Sequence, residues 1–397
     1  MKTLLHTALI HPQSPEPFAA VQIGPDQLPE GVVPDGWSVT STTLRGGLQE
    51  GVNVVEIHNG KLCFAVLPTR GMGIWKASVD GMPLGWDSPV KDPVHPSFIN
   101  QLERGGLGWL KGFNEWIVRC GLNSMGAPCT DTVLDYSGNE IEVPLTLHGN
   151  IANLPARSVS LEITDKELIL RGEVDETMMF GPALRLNTEI RTEFGSGTLT
   201  IVDTVTNLGS NPAEHELLYH INYGAPLLEK KSCMVAPFKQ VAPRDPRSAE
   251  GISTFDSYGA PEAGFVEQAY LYELVGKRGS RQTMAMLRNA AGSQASLLRF
   301  SLKDFPCFTL WKNTAAPADG YVTGLEPSTN YPNSRRFERE KGRVITLQGG
   351  ESRTTTLSIE HLDTKTAVKQ AEKEIRALQK AAKPTVHPEP VSRLSGS

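Results

Sequence analysis

Cysteine is scarce and poorly placed for cross-links: Cys63, Cys120, Cys129, Cys233 and Cys307 are odd in number, widely spaced and without a C-x-x-C pair. Such a set argues against a disulfide framework or a zinc ribbon and makes a reducing cytoplasm the expected setting. Long apolar runs are missing too. Nowhere do about 18 apolar residues run together, so no membrane-spanning helix is expected. Residues 1–10 are broken by His6 and lead to no small-residue cleavage site, so they read as no signal peptide. Positive charge is in deficit: a net charge of −5 gives no basic field to neutralise phosphates, which argues against nucleic acid as a partner. No Gly-x-Gly-x-x-Gly or Walker loop follows a predicted strand, and no internal repeat is present. Helical periodicity is confined to one stretch near the C-terminus.

What is present reads as strand. Apolar residues make up 39 % and charged residues 21 % of 397, enough for a sizeable core in a chain of this length. Residues 11–37 hold His11-Pro12, Ser14-Pro15, Pro17, Gly24-Pro25, Pro29 and Pro34, and an irregular N-terminal arm is expected over 1–39. Short alternating segments follow. Residues 53–58 and 61–67 flank Asn59-Gly60, the strongest short-range hairpin signal. Residues 158–163 and 167–173 flank Asp165-Lys166, and 184–192 and 198–206 flank Gly195-Ser196-Gly197. Strands at roughly 8–12-residue spacing without intervening helices predict one large antiparallel β-sandwich over 40–362. A helix rich in Ala, Lys, Glu and Gln with apolar Val368, Ile375 and Leu378 is predicted over 363–383, and a disordered tail over 384–397.

Four segments carry residues of catalytic type at strand ends. His148 follows a short strand and precedes Gly149, where a ligand can approach the backbone, or where a histidine can simply bond a loop carbonyl. In 215–224, read as a strand, His220, Asn222 and Gly224 share one face and Tyr219, Ile221 and Tyr223 the other. The first face looks at water or lines a polar cleft. Glu326 ends an apolar strand and is held extended by Pro327, a natural place for a general base or for a solvated turn acid. Arg70 sits between Pro68 and Gly71, placed to fork onto ligand hydroxyls or a carboxylate, or to tie down a loop.

In this order the segments resemble the aldose 1-epimerase, or galactose mutarotase-like, superfamily. The resemblance spans about residues 50–360 and rests on His148-Gly149, on His220-Ile221-Asn222-Tyr223, on Leu325-Glu326-Pro327 and on the hairpin strand ending Thr206-Asn207-Leu208-Gly209. The early Asn-Arg of the family is replaced by Pro68-Thr69-Arg70-Gly71-Met72-Gly73, and its sugar-holding aspartate has no counterpart; with Cys120-Gly121-Leu122 and Gly126 this looks like a poorly characterised branch. The resemblance implies an all-β supersandwich that interconverts the anomers of a small sugar without cofactor or metal. Glu326 would be the base and His220 the acid, with His148 orienting the ring or sharing the acid role. Trp311 would stack on the sugar, and Arg70, Asn222 and Lys312 would hold hydroxyls. Arg70, Lys111, Arg119, Lys312 and Arg335 near the motifs make an acidic sugar conceivable. Two other readings stand beside this one. A carbohydrate-binding protein without turnover is one; the other is a lyase with Tyr219 or Tyr223 as base, or a glycosidase, which needs a second carboxylate. The oligomeric state is not readable.

Overall fold

The computed structural model describes residues 2–13 and 18–396. Among them, two large sheets enclose one principal core. The smaller sheet has nine strands, ordered Thr3–Ile10, Ser158–Thr164, Glu167–Thr177, Ala183–Glu193, Thr198–Asn207, Ser352–Leu362, Ala295–Ser301, Gln282–Arg288 and Cys233–Val235. The larger sheet has at its centre Ile117–Leu122, Ala213–Tyr223, Tyr321–Ser328 and Cys307–Thr314, in that order. The pairings within the nine-stranded sheet and among these central strands are antiparallel, and the larger sheet adds one parallel pairing at its edge, between Phe238–Pro243 and Thr385–Val386. The predicted hairpins form at their turns: Ile57 pairs with Phe64 around Asn59-Gly60, Ile163 with Leu168, and Arg191 with Thr200.

Alternation explains how the sheets pack. Val159, Leu161 and Ile163 of one sheet and Tyr219, Ile221 and Tyr223 of the other are all buried in the shared core, as period-two patterning requires of two facing sheets. One charged group crosses it. Arg119, on the larger sheet, donates through Nε and Nη2 to Asp203 (2.5 and 3.0 Å) and through Nη2 to Thr188 (2.9 Å), both on the smaller sheet, and the Tyr219 hydroxyl also donates to Asp203. Lone burial of either charge would be costly. Satisfied as it is, the cluster sets the two sheets in register with each other.

The helix Lys365–Gln379 lies on the outer face of the nine-stranded sheet, capped by the Thr364 hydroxyl, with Val368, Ala371 and Ile375 packed on Met284, Met286 and Leu297. Two expectations are corrected. The arm over 1–39 is not irregular throughout: Thr3–Ile10, an alternating run ahead of the prolines, pairs with Ser158–Thr164, and Gln22–Ile23 pairs with Ser38–Thr43. The tail over 384–397 is not loose. Thr385–Val386 adds to the strand Phe238–Pro243, Leu394 is buried, and Asn333 Nδ2 donates to the Leu394 carbonyl at 2.8 Å. Burial of Leu394 and of the Ser395 hydroxyl supplies what its polar composition conceals. Met1 and Ser14 to Pro17 of the expected arm and Ser397 of the expected tail lie outside the described residues.

Candidate active site

The strand Ala213–Tyr223 sits between Ile117–Leu122 and Tyr321–Ser328. Because Tyr219, Ile221 and Tyr223 enter the intersheet core, His220 and Asn222 stand on the outer face. The register that pairs Leu218 with Ser328 and Ile221 with Leu325 sets His220 opposite Glu326. Their side chains meet: His220 Nε2 lies 3.2 Å from Glu326 Oε1, and both residues are almost wholly buried. Gly324 makes this possible, since a Cβ there would lie 2.6 Å from Glu326 Oε1 and 2.9 Å from His220 Cε1.

Two wall segments fold over this face. From the first, Phe113 packs edge-on to the His220 ring at 5.0 Å and Trp109 lies behind it. The second brings His148, whose ring centroid is 5.6 Å from that of His220 and 4.6 Å from that of Trp109. Its Nδ1 bonds the Met125 carbonyl at 3.0 Å, which leaves Nε2 open. His148 takes a positive φ of 60°, and Gly149 after it is required by the chain itself, since a Cβ would fall 1.9 Å from the Ser124 carbonyl oxygen. The glycine thus serves packing rather than ligand approach. Trp311, paired with Gly324 across the neighbouring strand, brings its ring to 5.2 Å from His220 and donates Nε1–H to Glu267 at 2.6 Å. Arg244 Nη2 donates to the other oxygen of Glu267.

The remaining residues read from the sequence as sugar-holding fall elsewhere. Asn222 does not face a ligand: its Nδ2 donates to the carbonyls of Glu115 (3.0 Å) and His220 (3.3 Å), which turns Oδ1 onto His220 Nδ1 at 2.6 Å. That orientation assigns the proton to Nδ1 and the lone pair to Nε2, facing Glu326. Arg70 is a fastener. Its guanidinium is consumed by Glu115 (2.8 Å) and by Val94, Asn153 and Gly112 (3.0 Å each), so it bolts both wall segments to the sheet. Lys312 points to the opposite face, where Nζ donates to the carbonyls of Thr254 and Ser257. Arg119 sits in the core, Arg335 on Glu214 and Lys111 on Glu103. Four of the five cations that made an acidic sugar conceivable are buried on partners of their own, and Lys111 lies half exposed beside Glu103.

Burial dominates the electrostatics. It pushes the Glu326 carboxyl up to about 8, with Arg244 opposing and Glu267 adding to the rise. It pulls His220 down to about 3, helped by the neighbouring His148 and opposed by the bond to Asn222, and His148 down to about 4. The pair therefore rests as a carboxylic acid beside a neutral imidazole, holding one transferable proton. Glu326 Oε1 is near His220 but lacks an aligned hydrogen bond. Thr309 Oγ1, across the strand pair from Glu326, and Trp109 Nε1 are likewise buried without a partner. Trp109, Phe113, Thr309 and Gly324 escaped the sequence reading; the glycine-spaced aromatics of 105–116 were the available signal. Among the described residues no three of His, Cys, Asp and Glu gather closely enough to hold a metal ion, and no helix is long and apolar enough to cross a membrane.

The model of DUF4432, a domain of unknown function, matches residues 49–361. A solved structure from Klebsiella pneumoniae subsp. pneumoniae MGH 78578, named a "putative aldose 1-epimerase", is 34 % identical over 97 % of this chain and 98 % of its own, with a TM-score of 0.90. This chain belongs to the DUF4432 branch of the aldose 1-epimerase, or galactose mutarotase-like, superfamily. More distant folds agree. A galactose mutarotase-like protein from Clostridium acetobutylicum has a TM-score of 0.57 at 14 % identity, over 82 % of this chain and 99 % of that one. A galactose 1-epimerase from Lactobacillus acidophilus NCFM has 0.55 at 10 % identity over the same shares. Identities this low show the fold alone. No curated protein matches the DUF4432 chain.

Proposed function

We propose that this DUF4432 protein is a mutarotase that interconverts the anomers of a neutral aldose by general acid/base ring opening, in a reducing cytoplasm. The buried His220–Glu326 contact at 3.2 Å carries the reading. A reversible proton exchange between two oxygens of one sugar needs one donor and one acceptor within reach of both. With the proton resting on Glu326, opening begins as His220 Nε2 takes the proton of the anomeric hydroxyl. The C1–O5 bond breaks as Glu326 protonates the ring oxygen, which leaves an open-chain aldehyde beside an imidazolium and a carboxylate. After rotation about C1–C2, closure returns both protons and yields the other anomer. The pair thus starts in the reverse of the roles expected from the family resemblance, with Glu326 as acid and His220 as base, and exchanges them on closure. Trp311 and Phe113 offer apolar faces for the sugar ring, with Trp109 packed behind them, and His148 Nε2 and Thr309 Oγ1 offer it hydrogen bonds.

The lyase reading loses its base. Tyr219 donates to Asp203 and Tyr223 bonds Ser296, both inside the core. A glycosidase would need a second free carboxylate, and Glu267 is engaged by Trp311 and Arg244. Binding without turnover is the remaining alternative, favoured by the absence of a hydroxyl-holding aspartate. Saturation exchange of anomeric protons by NMR over a panel of neutral, deoxy and acidic aldoses decides: acceleration over buffer for a neutral aldose supports turnover, and tight binding with no acceleration for any member refutes it.

A further inference from the structure

The hairpin Cys129–Leu134 and Glu140–Leu145 is a two-stranded sheet that joins neither large sheet. Around its tip Val133, Leu134, Tyr136 and Ile141 are exposed, and the turn after Glu167–Thr177 adds Met178, Met179 and Phe180; these seven are between 38 and 78 % exposed. The Tyr136 and Phe180 rings lie 6.1 Å apart, so the two groups form one patch. Single exposed apolar side chains are ordinary, whereas a contiguous patch of this extent marks a contact surface. A lone two-stranded hairpin is also marginal in water. At the base of the same arm lies a groove of about 380 Å³ walled by Leu102, Pro128, Pro144 and Leu145. Knob and groove therefore occur on one element.

We propose that the hairpin is a dimerisation arm and that its occupant is a second copy of this chain: two arms lie antiparallel about a two-fold axis, each tip seated in the groove at the base of the other. Three observations favour a second copy over a foreign partner. The first is reciprocity. A closed two-fold contact needs knob and hole on the same surface, and an arm of six-residue strands, roughly 20 Å long, laid beside its antiparallel twin brings each knob to the other's hole. The second is area: the seven side chains expose on the order of 800 Å², what one partner contributes to an interface of standard size. The third is stiffness at the base. Asp131 is buried there and accepts from Arg339 Nη1 and Nη2 at 2.9 and 2.7 Å, and with the Tyr136 ring beside Phe180 at the other end the arm is held in one direction.

The contact also touches function by position. Leu145, in the groove wall, is three residues from His148, and the His148 amide bonds the Gly126 carbonyl two residues before Pro128. Sedimentation velocity of the full chain over a micromolar series tests the proposal, with Leu134→Asp/Tyr136→Ser changing the tip and Leu102→Glu the groove. The wild type is expected as a dimer, and either variant should raise its dissociation constant by roughly 30-fold or more at unchanged melting temperature. An equal mixture of the two variants should regain part of the dimer, because one tip and one groove remain matched. A wild type that stays monomeric overturns the proposal, as does a dimer that survives both variants. Monomers that co-sediment with phosphatidylcholine vesicles through the tip would show the patch to be a membrane contact and overturn it equally.

Discussion

Replacing Glu326 with glutamine should make the protein slower and, at alkaline pH, more stable. Burial raises this carboxyl from 4.5 to about 8, so the folded state holds a proton that the unfolded chain has released. Across that window folding takes up a proton, and stability falls as pH rises, by about 1.4 kcal/mol per unit at most. Between pH 5 and 8 the loss from this one group approaches roughly 4 kcal/mol. His220 and His148, drawn down to about 3 and 4, work in the opposite sense: their stability is complete above the unfolded value near 6.5 and is lost as pH falls toward those folded values. The wild type should therefore be most stable near pH 6, and Glu326→Gln should keep the acidic limb and flatten the alkaline one. Melting curves at pH 5, 6.5 and 8, paired with anomer exchange by NMR on the same samples, measure both. The expected result is near-equal melting temperatures at pH 5, a variant several degrees more stable at pH 8, and exchange slowed by roughly 10²-fold or more. Parallel stability curves for the two proteins would refute the protonated, buried carboxyl. Wild-type exchange in the variant would refute its catalytic role.

Asn222→Asp places a carboxylate on His220 Nδ1, which raises the pKa of the imidazole by favouring its charged form; activity at pH 5 relative to pH 8 should drop compared with wild type, and an unchanged pH profile of kcat would contradict the positioning role of the amide. Gly324→Ala inserts a methyl group 2.6 Å from Glu326 Oε1 and should lower kcat by about tenfold or more, read by NMR exchange with a melting curve as control. Arg70→Ala leaves Glu115 buried without its partner and should cost about 3–5 kcal/mol by denaturant unfolding, whereas loss of sugar affinity at unchanged stability would restore Arg70 as a ligand contact.

The fold was legible because its signals are local. Asn59-Gly60 and Gly195-Ser196-Gly197 declare hairpins, and alternation in 215–224 correctly divided Tyr219, Ile221 and Tyr223 from His220 and Asn222. That Glu326 and His220 come together was legible for the same reason: both lie on regular strands whose faces follow parity. Parity placed Asn222 on the right face yet could not say that its amide points at its neighbour. The parity of Lys312 opposes that of Trp311, which would have excluded one of the two. Trp109 and Phe113 were missed because they come from irregular chain, whose path is fixed by distant contacts such as those of Arg70. Leu394 was missed likewise, since its burial depends on Asn333, some sixty residues earlier in sequence.

The position of Ser352–Leu362 has a bearing on how such a chain is made. This late-synthesised strand lies between Thr198–Asn207 and Ala295–Ser301, and through it the two halves of the nine-stranded sheet are joined. Until it emerges, each half ends in a long unpaired edge rich in β-branched and apolar residues, the kind of template on which nascent chains stick to one another. Ribosome-bound or prematurely stopped products ending before residue 352 should therefore be clients of chaperones and of degradation, and cooling during synthesis, which slows initiation and collision alike, should favour recovery of intact protein over any remedy applied after harvest.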